Sequence, residues 1–174
     1  MILKLLKKLL KFNLKFKQYI YKKIVKLQCK TYGNDLTVNG KSRVTKNTII
    51  HNNVNFNGMI IKGNGQVDIG NNFHSGQNCL MITSFHQYDF GDAIPYDTQK
   101  NIDKDISIED NVWLGDRVIL LGGVTIGEGA IIQAGSVVVS SIPKYAIAGG
   151  HPAKVFSSRD KEHYEKLKSE GKFH

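Results

Sequence analysis

One spacing constrains this chain more than any other feature: an aliphatic residue recurs at every sixth position between residues 102 and 138. The positions that follow the rule are Ile102, Ile108, Leu114, Leu120, Ile126, Ile132 and Val138. A period of six matches neither the 3.6-residue repeat of an α-helix nor the two-residue repeat of a strand. It is typical of a solenoid that turns a corner every six residues and directs one aliphatic side chain inward each time.

The same spacing occurs, less regularly, nearer the N-terminus. It is carried by Val38, Val44, Ile50 and Phe56. The register slips near residues 58–65 and resumes at Ile69, and the intervening asparagines and glycines tolerate the positive φ of tight corners. Residues 31–156 therefore predict an all-β solenoid of about five coils. A segment without the repeat, residues 86–101, is predicted to be an inserted loop, where chemistry is often placed.

Both ends of the chain predict helices. Residues 1–30 contain ten lysines, no acidic residue, and apolar residues spaced by three and four. This pattern predicts a basic amphipathic helix, which either lies on an anionic membrane surface or packs on the body or a neighbouring subunit. Residues 157–174 predict a short helix that has Ser157 or Ser158 as its N-cap and covers the last coil.

The distribution of charge along the chain limits the kinds of partner that the protein can bind. The formal charge is +9, but residues 1–30 hold the whole excess, since the remaining 144 residues carry 14 basic and 15 acidic side chains. Such a body lacks the basic face that nucleic-acid binding requires. Two distant cysteines predict no disulfide framework, and no apolar run is long enough to span a membrane. We expect a cytoplasmic protein that is peripheral at the inner membrane face if residues 1–30 bind lipid.

Four motifs carry a family resemblance: NVWLG (111–115), GVTIG (123–127), AGSVV (134–138) and AGGHPAK (148–154). They resemble the hexapeptide-repeat acetyltransferases, in particular the maltose, galactoside and xenobiotic enzymes and the O-acetyltransferases of surface-polysaccharide synthesis. The resemblance covers residues 65–156. It implies a left-handed parallel β-helix, a homotrimer, acetyl-CoA bound in a groove between subunits, and a histidine near the start of the inserted loop that activates the acceptor.

The resemblance also assigns roles to individual residues. His86 would be the general base, because imidazole titrates near neutral pH; the alternative is a mobile surface histidine. The expected contacts of acetyl-CoA are Trp113, Gly115, Asp116, Ala134 and Lys154. Coil packing or corner geometry would also explain the first four. Lys154 would lie near the phosphates, with Lys144 and Arg159 as further candidates. Where the family often has a Thr–Lys pair after Val138, this chain has Val139, Ser140 and Ser141, so one expected positive charge is missing.

The acceptor contacts are predicted less sharply. Asn55, Asn57 and Asn64 fall near sugar-contact positions of the family, but they would equally suit turns. Asp89 could contact the acceptor, and Asp89, Asp92 or a backbone carbonyl could orient the imidazole. No metal is expected, because the spacing of the histidines at positions 51, 74 and 86 departs from the zinc-binding pattern of the γ-class carbonic anhydrases.

These observations predict an acetyl-CoA-dependent O-acetyltransferase that acts on a sugar hydroxyl, in the synthesis of a surface glycan such as lipopolysaccharide or capsule. Two alternatives remain open from the sequence. One is an acetyltransferase for a small soluble acceptor, such as an antibiotic, a free sugar or an amino sugar. The other is a trimeric β-helix scaffold without catalytic activity.

Overall fold

The computed structural model describes residues 2–174, except for the side chains of Ile2, Leu5 and Lys8; Met1 of the predicted N-terminal segment lies outside the described residues. The chain begins with one long helix, α1 (Ile2–Gln28). It continues as a left-handed β-helix of about six coils. The predicted fold class is confirmed, with a helix at each end. Neither described helix combines the length and apolarity needed to cross a bilayer.

The coils are built from short strands, three in each complete coil. The first coil has β1 (Thr31–Tyr32) and β2 (Thr37–Gly40). The second and third have β3 (Thr48–Ile50), β4 (Asn55–Asn57), β5 (Ile60–Lys62), β6 (Val67–Ile69), β7 (His74–Gln77) and β8 (Leu80–Ile82). An antiparallel pair then leaves the solenoid, β9 (Ser84–Gln87) and β10 (Asp97–Asp103).

The solenoid resumes after this pair. The fourth and fifth coils have β11 (Ile106–Ile108), β12 (Trp113–Leu114), β13 (Ile119–Leu121), β14 (Thr125–Ile126), β15 (Ile131–Ile132) and β16 (Val137–Val138). The chain ends with β17 (Ala146–Gly150) in the sixth coil, β18 (Ala153–Ser158) and α2 (Lys161–Ser169).

Parallel pairing of equivalent strands produces three faces. Face A consists of β1, β3, β6, β11 and β14; face B of β2, β4, β7, β12, β15 and β17; face C of β5, β8, β13 and β16. The predicted inward positions from Ile108 to Val138 are at most 2% exposed. Stacked coils therefore bury one continuous aliphatic column, and burial of apolar area at about 25 cal/mol per Å² is the main force that stabilises the fold.

The interruption of the repeat differs from the predicted loop. The insertion (residues 84–103) has paired strands at its base, because β9 and β10 satisfy each other's backbone groups. Ile102, expected as the first inward residue of the repeat, lies in β10 opposite Phe85 and is half-buried. The first buried member of the six-residue series is instead Ile108, which is 2% exposed.

A ladder of asparagines forms the corner between faces A and B. Asn53, Asn72 and Asn111 occupy it in successive coils, with φ of 54°, 55° and 60°. The Asn53 amide donates to Asn72 at 2.9 Å, and the Asn72 amide donates to Asn111 at 2.8 Å. Asparagine tolerates the left-handed conformation, and its amide bonds to the coils on either side. The abundance of asparagine in this chain thus has a structural cause.

The C-terminal segment corrects two expectations. Ser157 and Ser158 lie in β18, which pairs antiparallel with β17 and covers its edge. Extended pairing keeps both serines out of the helix, and the N-cap of α2 is Asp160, which accepts from the backbone N–H of His163 at 2.8 Å. Rather than covering the last coil, α2 runs back along the A–B corner, where the Tyr164 hydroxyl accepts from the asparagine ladder at 2.8 Å.

Glu128 fastens α2 to this corner. Its carboxylate pairs with Lys144 at 2.8 Å, and it accepts from Lys168 and from the Tyr164 hydroxyl. Burial alone would raise the pKa of Glu128, but the hydrogen bonds from Lys144, Lys168 and Tyr164 lower it to about 2. The hydrogen bond between Lys168 and Glu128 also raises the pKa of Lys168. An ionic cluster therefore holds a helix that has no buried residue of its own.

Candidate active site

The insertion positions His86 at its base. The His86 ring, on β9, is exposed and stacks on Tyr96, with the ring centroids 4.3 Å apart and the planes 9° from parallel. Among the described residues, neither Asp89 nor Asp92 donates to or accepts from this imidazole; Asp92 instead pairs with Lys100 at 3.1 Å. Stacking on Tyr96, which no sequence pattern predicted, sets the orientation of the ring.

Asp97 anchors the segment that carries Tyr96. Its side chain is 5% exposed and accepts from the backbone N–H groups of Gln99 at 2.8 Å and Asp92 at 3.2 Å. These two N–H groups, Gln99 first, hold the pKa of Asp97 below its ordinary value. The buried carboxylate ties the bend of residues 88–96 to β10 and so fixes the segment that carries Tyr96. Sequence analysis missed Asp97 because a single acid in a polar loop carries no distinguishing pattern.

Four of the expected acetyl-CoA contacts form one continuous strip. Trp113 is 50% exposed on face B, and Gly115 and Asp116 follow it at the corner with face C. Ala134 lies directly above them in the next coil: a Cβ on Gly115 would come within 2.5 Å of the Ala134 nitrogen. Coil stacking alone therefore requires glycine at position 115. The side chain of Ala134 is exposed, which leaves the backbone of this strip open to a ligand.

Asp116 also has a structural role. One of its carboxylate oxygens accepts from the backbone N–H of Gln77, in the preceding coil, at 2.6 Å. Gly76 makes room for this contact, since a Cβ there would lie 2.3 Å from the same oxygen. The Asp116 side chain thus links two coils, and its second oxygen is the part that a ligand could reach.

The three candidate cations differ in what they contact. Lys144 is paired with Glu128 at 2.8 Å, and the Arg159 side chain donates to a backbone carbonyl at 2.5 Å. Lys154 is exposed on β18, and within the described part of the chain no carboxylate lies at ion-pair distance from it. Its ammonium group is therefore the one of the three that is available to a phosphate.

The predicted acceptor residues fall into two separate groups. Asn55 and Asn57 lie in β4 on face B rather than in a turn, and both accept from an amide of the first coil, at 3.2 and 3.0 Å. Asn64 is exposed near the base of the insertion, where its backbone N–H donates to Ser84 at 2.7 Å. Asp89 is exposed in the insertion. One chain does not bring the three asparagines together.

His86 and the Trp113 strip also lie apart within one chain. The insertion leaves the solenoid between β8 of face C and β11 of face A, at the corner where these faces meet. The strip occupies face B and its corner with face C. Face C therefore separates the predicted base from the predicted cofactor contacts.

A groove of about 590 Å³ borders Trp113 on its other side. Its floor includes Asn55 and His74 of face B, and the segment after α2 covers it with Phe173 and His174. The His174 ring stacks on His74 with centroids 5.7 Å apart. Burial, and then His174, holds the pKa of His74 below its ordinary value. Trp113 therefore belongs to the strip and also lines this groove.

The histidines considered for metal binding are dispersed. His51 bonds to Asp68 at 3.0 Å on face A, His74 lies on face B, and His86 is on the insertion. Across residues 2–174, no three His, Cys, Asp or Glu side chains among those described converge as metal ligands would.

Comparison with known proteins agrees with the repeat. The family model for the bacterial transferase hexapeptide (six repeats) matches residues 105–140. Galactoside O-acetyltransferase of Escherichia coli is 34% identical over 118 residues, which cover 64% of this chain and 55% of that protein. A Schizosaccharomyces pombe protein, provisionally named an acetyltransferase, is 44% identical over 91 residues, 51% of this chain and 41% of its own length. The chain spans about half the length of these curated relatives.

Solved structures show the same fold. A galactoside acetyltransferase in complex with coenzyme A superposes with a TM-score of 0.70 and 28% identity, over 82% of this chain and 72% of that one. A hexapeptide-repeat-containing acetyltransferase from Vibrio cholerae gives a TM-score of 0.68 and 27% identity over 76% of both chains. The chain therefore carries the bacterial transferase hexapeptide repeat and is similar, in sequence and in architecture, to hexapeptide-repeat acetyltransferases.

Proposed function

We propose that this protein is an acetyl-CoA-dependent O-acetyltransferase that acts on a sugar hydroxyl, with His86 as its general base. The observation that carries the proposal is the insertion, which interrupts a regular solenoid and presents an exposed imidazole stacked on Tyr96. The names of the relatives support it: the E. coli relative is a galactoside O-acetyltransferase, and the structure of a galactoside acetyltransferase contains coenzyme A.

The proposed reaction needs one base that also returns its proton. Neutral His86 takes the hydroxyl proton as the acceptor oxygen attacks the thioester carbonyl. When the carbon–sulfur bond breaks, the imidazolium gives that proton to the departing thiolate. The products are the O-acetyl sugar and free coenzyme A thiol, so no further reactant is consumed. Stacking on Tyr96 would keep the imidazole in one orientation through both proton transfers.

The strip from Trp113 to Ala134 is the proposed binding surface for acetyl-CoA. The half-exposed ring of Trp113 can cover an apolar part of the pantetheine arm. Gly115 and Ala134 leave the backbone accessible to the amides of that arm. Lys154, which has no carboxylate partner among the described residues, is proposed to bind the phosphates as a point charge.

The proposed assembly is a homotrimer. One chain places His86 and the strip on either side of face C, so a reaction that uses both requires a second copy. Rotation about a three-fold axis would bring the insertion of each copy toward the B–C corner of the next and would close the ring. Each active site would then be shared between two subunits.

The proposed acceptor is a glycan or glycan precursor of surface lipopolysaccharide or capsule, modified at the inner face of the cytoplasmic membrane. The ten lysines and absent acids of residues 1–30 support this location. An enzyme for a small soluble acceptor has no evident use for such a segment. A scaffold without catalytic activity, in turn, has no evident use for a histidine on an insertion with paired strands and a buried carboxylate.

Thiol release from acetyl-CoA, measured against a panel of sugars and a glycolipid extract, tests this function. We expect acceptor-dependent release that falls about 10²- to 10⁴-fold in His86→Ala, the usual contribution of a general base, with binding of acetyl-CoA retained. His51→Ala is the matched control, because His51 is exposed on face A and should be dispensable. Absence of both cofactor binding and turnover in the wild type would reject the enzyme and favour a scaffold.

A further inference from the structure

Helix α1 carries two distinct stripes, and the first faces the body. This docking stripe consists of Gln18, Tyr21, Val25 and Gln28, spaced by three and four residues. Val25 is completely buried. The Gln18 amide donates to Asn39 at 3.0 Å, and the Gln28 side chain accepts from the backbone N–H of Val44 at 3.1 Å. The docking stripe therefore fixes the C-terminal half of α1 to the first coil.

The second stripe is apolar and has no partner among the described residues. It consists of Leu9, Phe16, Ile20, Ile24 and Leu27, which are 38–85% exposed. At 100° per residue, its centre lies roughly 130° around the helix from the docking stripe. Three members of this apolar stripe belong to the half of α1 that docks, yet they point away from the body. Within the described residues of one chain, the apolar stripe does not pack on the body, which leaves a membrane surface or a neighbouring subunit as its partner.

The N-terminal half of α1 extends beyond the body. Every described side chain of residues 3–17 is exposed, over about four helical turns. Lys4, Lys11 and Lys15 lie on the side opposite the apolar stripe, and Lys17 and Lys23 lie along its two edges. No acidic side chain occurs in residues 1–30 to neutralise them.

We infer that the apolar stripe of α1 lies in the headgroup region of an anionic lipid bilayer, with the β-helix on the water side of the helix. A helix with a broad apolar stripe, flanking lysines and no acidic residue has the composition of a helix that lies in the membrane interface and prefers anionic lipids. A second copy is a poorer partner, because two α1 helices would bring lysines together without an acid between them. The rest of the chain has nearly balanced charge, with 14 basic and 15 acidic side chains in residues 31–174, so it exerts little net attraction on the lysines of a second α1.

This placement orients the proposed active site, a consequence that rests on the proposed function. Helix α1 packs on the first coil, and the insertion leaves after the third, two coil spacings away, or about 10 Å at the spacing of neighbouring strands. His86 would thus face the water layer close to the membrane. A sugar carried on a membrane lipid could reach it while the lipid stays in the bilayer.

Vesicle sedimentation of the full-length protein, in the absence of acetyl-CoA, tests the inference. We expect binding to vesicles of phosphatidylcholine with phosphatidylglycerol, and little binding to phosphatidylcholine alone. Each lysine removed from α1, for example by Lys11→Gln, should weaken binding about five-fold at low salt. Equal binding to both vesicles, or no binding to either, would overturn the inference.

Paired variants test which stripe is used. Leu9→Ser with Phe16→Ser removes two exposed apolar side chains that touch no part of the body, and should weaken vesicle binding at least about ten-fold. Phe90→Ser, which removes an exposed phenylalanine outside α1, is the matched control and should bind as the wild type does. If the double variant binds normally, or if it lowers the oligomeric mass in solution, the stripe serves another partner and the inference fails.

Tryptophan quenching by brominated phosphatidylglycerol maps the orientation. In a Trp113→Phe background, a tryptophan introduced by Phe16→Trp should be quenched, whereas one introduced by Lys11→Trp, on the opposite side, should not. The reverse pattern would overturn the orientation. These measurements do not depend on turnover: vesicle binding without acetyl transfer would reject the proposed function alone, and acetyl transfer without vesicle binding would reject this inference alone.

Discussion

In the coils between Ile108 and Val138 the residues at six-residue spacing are at most 2% exposed, whereas the insertion of residues 84–103 exposes Tyr88 and Phe90 and buries the carboxylate of Asp97. A coil side chain is surrounded by equivalent residues of the coils above and below, so its environment repeats. An insertion side chain contacts other members of the insertion. The regular region can therefore supply stability without chemistry, while the irregular region can hold a reactive group in a unique setting.

We expect the largest change in stability from a substitution that leaves a cavity in the buried aliphatic column of the coils. Leu120 is completely buried, so Leu120→Ala should lower the free energy of unfolding by about 2–5 kcal/mol through lost burial and the cavity left behind. Urea denaturation followed by circular dichroism measures the change. Acetyl transfer per folded molecule should stay near the wild-type value.

The matched variant in the insertion is Tyr88→Ala. Tyr88 is 64% exposed, and its loss should change the free energy of unfolding by no more than about 0.5 kcal/mol. If Leu120→Ala and Tyr88→Ala lowered the free energy of unfolding equally, the insertion would contribute to stability as much as the coils do. The proposed difference between the two regions would then be wrong.

A smaller effect concerns the corner where α2 is attached. The pKa of Glu128 is lowered from 4.5 to about 2, so its ionised form stabilises the fold. This contribution is complete above about pH 5 and is lost as the pH falls from there through 2. After allowance for solvent screening, Glu128→Gln should cost on the order of 1–2 kcal/mol at pH 6. In urea denaturation, this difference from the wild type should shrink between pH 6 and pH 3.

Glu162→Gln is the control for this measurement, because Glu162 is an exposed acid of the same helix with no hydrogen bond or ion pair from its side chain among the described residues. It should leave the pH dependence unchanged. A penalty for Glu128→Gln that is the same at both pH values would mean that shape, rather than charge, fastens α2 to the coils.

The smallest effect tests the support beneath His86. Tyr96→Ala removes the stacked ring and should lower kcat about ten-fold, the scale of a modest misplacement of a catalytic group, with KM for acetyl-CoA and the unfolding transition unchanged. Tyr96→Phe keeps the ring and should restore most of the rate. Steady-state kinetics of the two variants decides the matter. An equal loss in both would assign the role to the hydroxyl, and no loss in either would make the stacking incidental.

Much of the solenoid could be predicted because its local and tertiary signals coincide. The same coil is predicted by the six-residue spacing, by the corner asparagines and by the inward aliphatic residues. Each further coil shows the same three features, so each adds independent support. The spacing failed at Ile102. This residue lies at a six-residue position by coincidence, since it belongs to strand β10 of the insertion and not to a coil. A periodic rule cannot detect that the chain is still outside the solenoid at Ile102, because the insertion extends to residue 103.

The candidate site was predictable in part. His86 stood out because it lies where the repeat breaks, and the motifs marked the positions of Trp113 and Ala134. The support given by Tyr96 and Asp97 was not predictable, since it depends on how a nine-residue bend folds back between β9 and β10. The acceptor asparagines were likewise uncertain, because asparagine serves a corner ladder and a binding surface with the same chemical group.

The sequence by itself determined the β-helix, the break in its repeat and the basic amphipathic character of residues 1–30, because each is a pattern of neighbours along the chain. The tertiary structure decided which side of α1 meets the body, which cations remain unpaired, and that face C separates His86 from the strip of Trp113. Those outcomes depend on the rotation of a helix about its axis and on contacts between residues that are distant in sequence, such as Asn111 and Tyr164, which are 53 positions apart. No local spacing encodes such relations, because they arise when packed surfaces compete for the same partners.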